Sequence, residues 1–124
     1  MRLKPNTLIV VAGPTASGKT ALAIQIAKAV DGEIVSADSM QIYRGVDIAT
    51  AKPTPEELAA VPHHLIGFLP MDRAFSVADY AELARKEIND ILSRGKVPVL
   101  CGGTGLYIKA IVDNVQHSEA ITGD

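Results

Sequence analysis

Eight residues near the start have the types and spacing to hold a phosphate chain. Gly13-Pro14-Thr15-Ala16-Ser17-Gly18-Lys19-Thr20 fits G-x-x-x-x-G-K-[ST] at every defined position. The glycines let the backbone turn tightly, so that successive N–H groups point inward at an anion. A following helix adds the partial positive charge of its N-terminus. Lys19 would reach the terminal phosphates, and the Thr20 hydroxyl would ligate Mg²⁺. The ligand of such a loop is a diphosphate or triphosphate, and the motif does not choose between them. A second candidate is Asp38 in Ser36-Ala37-Asp38-Ser39. A carboxylate just past a strand end can hold Mg²⁺ through water, orient the phosphate loop, or take a proton from an attacking acceptor. It can also simply form an Asx turn.

These residues need elements to position them, and the apolar pattern supplies them. Leu8 to Ala12 is a short β-branched run ending at a glycine, as expected for a buried parallel strand. Lys19 to Val30 carries Leu22, Ala23, Ile26, Ala27 and Val30 at helical spacing, with Gly32 as the stop. Glu33 to Ala37 reads as a second strand. Residues 44 to 62 hold Gly45, Pro53, Pro55 and Pro62, and read as a long loop with a helical turn around Glu56 to Ala60. His64 to Leu69 reads as a third, weaker strand. Ser76-Val77-Ala78-Asp79 resembles a capping box, and Val77, Tyr80, Ala84, Ile88, Ile91 and Leu92 follow a helical face as far as Gly95. Val97 to Cys101 reads as a fourth strand, in which Pro98 belongs at the first residue or at a sheet edge. Gly102 and Gly103 open a last helix, about Thr104 to Val115. Residues 116–124 carry no strand or helix signal.

Strands alternating with helices predict an α/β fold, a three-layer sandwich around a mostly parallel sheet in the manner of P-loop nucleotide-binding proteins. Four strands are few for such a sheet. The expectation is therefore an incomplete core over residues 1–115, with 116–124 an irregular tail leading into a missing insertion domain. Asp38 is the only acid at a strand's carboxyl end, because the fourth strand runs into Gly102-Gly103. An enzyme that moves a γ-phosphoryl group usually places a metal-holding aspartate there.

Composition narrows the class further. The 124 residues are 48% hydrophobic and 21% charged, which excludes a disordered tail. A net charge of −2 shows no basic footprint for nucleic acid or a membrane surface. One cysteine excludes a disulfide framework and a thiolate-rich zinc site. Met1-Arg2-Leu3-Lys4 resembles a signal n-region, but the apolar run after it is too short and meets the glycine motif at once. A cytoplasmic chain without membrane contact, working as a monomer, is expected.

Several further blocks occur in order: Asp-Ser-Met-Gln-Ile-Tyr-Arg-Gly-Val-Asp-Ile at 38–48, Thr-Ala-Lys-Pro at 50–53, Pro-His-His-Leu-Ile at 62–66, Phe-Ser-Val-Ala-Asp-Tyr at 75–80 and Gly-Gly-Thr-Gly-Leu-Tyr-Ile at 102–108. Together with the phosphate loop they resemble the N-terminal part of the tRNA dimethylallyltransferases, over about Leu8 to Val112. The resemblance implies transfer of a dimethylallyl group from dimethylallyl diphosphate to N6 of an adenine beside the tRNA anticodon. It implies that Thr15, Ala16, Ser17, Gly18, Lys19 and Thr20 hold the diphosphate, with Mg²⁺ at Thr20. It implies that Asp38 accepts the N6 proton, that Ser39, Met40 and Gln41 meet the tRNA, and that Thr104 makes a further tRNA contact. Two positions depart from the family's habit: Ala49 stands in place of glycine and Gly67 in place of aspartate. Family members run to roughly twice this length or more, and the remainder carries basic tRNA-binding residues. Three other readings share some of these features. They are a small-molecule kinase using ATP, a prenyl transferase acting on free adenine nucleotide, and a non-catalytic nucleotide-binding module.

The other candidate side chains have plainer expectations. Adjacent His63 and His64 would face opposite sides of a strand and serve hydrogen bonding rather than one metal site. Cys101 behaves as a small hydrophobe. Tyr43 and Tyr107 either pack or line the crevice. Arg44 and Lys52 are solvated or touch phosphate. Glu82, Arg85, Lys86, Glu87 and Asp90 read as the wet face of a helix.

Overall fold

The computed structural model describes residues 7–13, 18–39, 41–43, 54–70, 72–113 and 118–122. The elements are β1 (Leu8–Ala12), α1 (Lys19–Val30), β2 (Gly32–Ser36), α2 (Pro55–Ala60), β3 (His63–His64), α3 (Val77–Ser93), β4 (Val97–Gly102), α4 (Gly105–Val112) and β5 (Ser118–Thr122). The strands form one sheet in the order β3-β2-β4-β1-β5, every pair parallel.

The period-2 geometry of the strands splits their side chains between two cores. Leu8, Val10, Val35 and Leu100 pack under α3 and α4 with Tyr80, Ala84, Ile88, Ile91, Tyr107 and Ile111. Ile9, Val11, Ile34, Val99 and Cys101 pack on the opposite face under α1, against Ala23, Ile24, Ala27 and Val30. This is the three-layer sandwich that the pattern predicts. α3 starts at a full capping box, in which the Ser76 hydroxyl accepts the Asp79 N–H and the Asp79 carboxylate accepts the Ser76 N–H. Among the described residues no helix is long and apolar enough to cross a membrane.

Four expectations need correction. The segment 116–124 is not wholly irregular, because Ser118–Thr122 forms β5 alongside β1. Ser-Glu-Ala-Ile-Thr has no apolar run to announce it; an edge strand can be held by backbone pairing to its one neighbour. The third strand is only His63–His64. Leu65 and Gly67 both take φ of 66° and end the extended run, and Leu69 returns only as an isolated bridge to Tyr43. Pro98 is neither first in its strand nor at an edge: it is the second residue of the central β4. The Cys101 carbonyl accepts from the Ala37 N–H on the β2 side. By alternation the Pro98 nitrogen faces β1, whose ladder begins one residue later at Val99, so no internal rung is lost. Finally, α4 ends at Val112 with Asp113 as C-cap, short of Val115; residues 114–117 lie outside the described ones.

Candidate active site

The carboxyl ends of β1, β2 and β4 lie side by side at one end of the parallel sheet, the end at which open parallel sheets bind ligands in a crevice. The phosphate-loop side begins at Gly13, directly after β1, and resumes at Gly18. Gly18 has φ of 77° and forms the N-cap of α1 without a side-chain cap. That left-handed turn suits glycine and leaves the first N–H groups of α1 without a capping side chain. The first turn holds no acidic residue, so nothing there competes with an incoming anion. Lys19 is buried in the first turn and Thr20, half-buried, follows it. Pro14, Thr15, Ala16, Ser17 and Met40 lie outside the described residues, as do Ala49, Arg44 and Lys52.

Across the crevice β2 runs out into Ala37-Asp38-Ser39. Thr104 grips this turn from both sides. Its backbone N–H donates to the Ala37 carbonyl at 3.2 Å. Its hydroxyl accepts the Ser39 N–H at 2.9 Å and lies 3.3 Å from Ser39 Oγ, to which it donates. Asp38, 6% exposed, is the residue between the two grips. The turn closes with the Gln41 N–H donating to the Asp38 carbonyl at 3.1 Å, while Ser36 Oγ donates to Gln41 Oε1 at 2.9 Å. Below it, the N–H groups of Gly67, Phe68 and Leu69 donate to the carbonyls of Gln41 and Ile42. Gly67 takes a left-handed backbone, which glycine adopts freely. The structure thus brings Thr104 to Asp38, Ser39 and Gln41 across some 65 residues of sequence.

β1 and β2 are separated by β4, and Cys101 of β4 marks the midpoint of the crevice floor. Its sulfur lies 3.9 Å from the Lys19 carbonyl. Burial pushes its thiol up to about 11; the Lys19 ammonium pulls it down and the Asp38 carboxylate pushes it up. The thiol stays protonated near neutral pH and serves as a small apolar spacer. β4 ends in Gly102, where any Cβ would run into the Ala37 backbone, so the close approach of β4 to β2 needs glycine.

Sequence reasoning did not find the supports of this site. Tyr80 of α3 sends its hydroxyl to the Ser36 carbonyl at 2.7 Å, and its ring stacks on Tyr107 of α4 with centroids 4.1 Å apart. Tyr107 is thus a packing residue, and Tyr43 packs against the same core. The signal available was Tyr80 on the apolar face of α3, which read as ordinary core. The histidines bond as expected. His63 Nδ1 lies 2.9 Å from the Val61 carbonyl, and His64 sits between Glu33 (2.7 Å) and Glu87 (3.1 Å). Arg94 forks onto the buried Glu33 and also reaches Asp90. Glu87 and Asp90 therefore do more than face water. Among the described residues no group of three His, Cys, Asp or Glu is placed to hold a metal.

Comparison with known proteins bears on this arrangement. The family described as IPP transferase matches residues 41–122. A tRNA dimethylallyltransferase from Salinispora tropica is 53% identical over 114 residues, covering 92% of this chain and 36% of the relative. The crystal structure of the full-length tRNA isopentenylpyrophosphate transferase from Bacillus halodurans superimposes with a TM-score of 0.83 at 49% identity, over 90% of this chain and 37% of that one. A eukaryotic dimethylallyltransferase captured acting on tRNA gives a TM-score of 0.79 at 35% identity, over 84% of this chain and 26% of its own. The chain spans little more than a third of the length of the curated relatives it matches.

Proposed function

Because this chain belongs to the IPP transferase family, we propose that it forms the donor-binding and catalytic core of an enzyme that moves a dimethylallyl group from dimethylallyl diphosphate to the N6 amine of an adenine beside the tRNA anticodon. The observation that carries the reading is the convergence of two segments on Cys101: the Lys19 carbonyl lies 3.9 Å from its sulfur, and the N–H of Ala37, the residue before Asp38, donates to its carbonyl at 2.8 Å, so a cation for the leaving group and a carboxylate for the acceptor sit on segments that meet at one strand end.

The chemistry divides between the two sides. The allylic C–O bond breaks and the electron pair leaves with the diphosphate. Lys19 and the N–H groups at the start of α1 stabilise that growing negative charge. The N6 nitrogen forms the new bond to the allylic carbon, and its proton passes to the Asp38 carboxylate. The exocyclic amine of adenine is a weak nucleophile, so a carboxylate hydrogen-bonded to it helps as positive charge develops. The target base must leave its stack to reach the crevice. Ser39, Met40, Gln41 and Thr104 are the residues we assign to the tRNA around that base. Thr20 offers one hydroxyl in a turn without acids, which suits Mg²⁺, an ion that takes few protein ligands beside phosphate oxygens and water. When bound, the ion would supply further positive charge to the diphosphate.

Calorimetric titration with dimethylallyl diphosphate and, separately, with ATP tests the donor, Mg²⁺ being present in both. Preference for the allylic diphosphate is expected. Preference for ATP would move the assignment to phosphoryl transfer, which the end of β4 in Gly102 rather than an acid argues against.

A further inference from the structure

We propose that Tyr80 and Ser36 are positioning residues for the reaction, a strut from the α3/α4 core that fixes the Asp38–Gln41 turn. The inference rests on the prenyl-transfer reading for its kinetic meaning, and on geometry for its existence.

The strut fills a gap left by the sheet. The Ile34 N–H donates to the Pro62 carbonyl on the β3 side, so by alternation the Ser36 carbonyl faces the same side. β3 stops at His64, paired with Val35, and offers the Ser36 carbonyl no strand donor. A buried carbonyl without a donor costs about 1–3 kcal/mol. The Tyr80 hydroxyl takes that place at 2.7 Å. The donor is held firmly: the residue is fully buried and its ring lies parallel to Tyr107, 10° between planes. Burial raises the phenol far above its ordinary range, so it remains a neutral donor at every working pH.

From Ser36 the constraint continues forward. Its hydroxyl, buried with the rest of the residue, donates to Gln41 Oε1. The Gln41 N–H in turn donates to the Asp38 carbonyl. The residue before the turn is thus tied to the residue that closes it, and Asp38 lies inside that loop. Thr104 fixes the flanks of Asp38 from the junction of β4 and α4; Tyr80 from α3 and Ser36 from β2 fix the ends of the same turn. Misplacing a catalytic group by about 1 Å can cost up to about a hundredfold in rate.

The test uses Tyr80→Phe, which keeps the ring and the stack, and Ser36→Ala, which keeps the strand. Amide exchange is read at Gln41 and, as control, at Ile34. Kinetics are read in the full-length enzyme, alone and in the Asp38→Ala background. Both variants are expected to speed Gln41 exchange about tenfold with Ile34 unchanged. They are also expected to lower kcat about tenfold at unchanged KM for dimethylallyl diphosphate, and to cost nothing further once Asp38 is absent. Unchanged Gln41 exchange would overturn the strut. An equal loss of kcat in the Asp38→Ala background would overturn the positioning role and leave only a packing residue. Should Tyr80→Phe fail to fold, Ser36→Ala decides by the same criteria. Failure of the wild-type enzyme to transfer a prenyl group would refute the function instead, and the exchange result would then judge the strut by itself.

Discussion

The Thr104 hydroxyl accepts the backbone N–H of Ser39 at 2.9 Å across 65 residues of sequence. A residue at the N-cap of α4 thereby spends its side chain on the turn after β2, and α4 itself has no side-chain cap. The cap position has been diverted to hold the neighbouring strand's end. Thr104→Val keeps the shape and removes the acceptor. It is expected to lower kcat about tenfold and stability by about 1 kcal/mol, with Thr104→Ser close to wild type. Steady-state rates and urea titration of the three forms check this, and a silent valine variant would refute the grip.

Lys19→Ala and Asp38→Ala should fail in different ways. Loss of the Lys19 ammonium is expected to weaken dimethylallyl diphosphate binding by at least about tenfold, the worth of one charged hydrogen bond. Loss of the Asp38 carboxylate is expected to leave that binding intact and cut turnover by about a hundredfold or more. Calorimetry paired with single-turnover rates separates them. Equal loss of binding and turnover in Asp38→Ala would remove its assignment as the base.

Gly102→Ala tests how tightly β4 meets the turn. The added methyl would have to displace the Ala37 backbone, which has no flexible end to yield. The expected cost is about 3 kcal/mol, with a lower melting temperature and loss of activity together. A variant as stable as wild type would mean that the approach is looser than described.

Acid should weaken the fold through Glu33. The hydrogen bonds from Arg94 outweigh the burial of Glu33 and, with His64, hold its carboxyl down at about 2, against an ordinary value of 4.5. A depressed carboxyl stabilises the fold in full above the unfolded pKa, and that contribution disappears as pH falls through the folded one. Stability is therefore expected to be level in this respect above about pH 4.5 and to fall between there and about pH 2, by on the order of 2 kcal/mol. Glu33→Gln should flatten that fall. Chemical denaturation of both forms at several pH values provides the measurement, and parallel curves would refute the role of Glu33.

Much of this was legible in the residues because it rests on local rules. The phosphate motif, the α1 span from Lys19 to Val30 and the Ser76 capping box are all written in short windows. What the sequence hid was lateral. β5 has no apolar run and gains its place from β1. Pro98 is admissible in a central strand only because of which way its nitrogen faces. Leu65 takes a left-handed backbone that nothing in its side chain announces. In the site, Asp38 stood out as an acid at a strand end, but Thr104 and Tyr80 reach its turn only through contacts 65 and 44 residues long in sequence. Such contacts follow from strand order, which periodicity does not encode.

The split of the sheet into two cores has its own consequence. Lys19 opens α1 and rides on one face; the Asp38 turn is propped from α3 and α4 on the other. Under the proposed assignment, donor capture and acceptor deprotonation would depend on different sets of packed side chains. Repacking beneath α1 would then retune affinity for the proposed diphosphate while leaving the proposed base in place, and repacking around Tyr80 and Tyr107 would do the reverse. On that reading, natural variation could adjust the response to each substrate one at a time, through residues that touch neither.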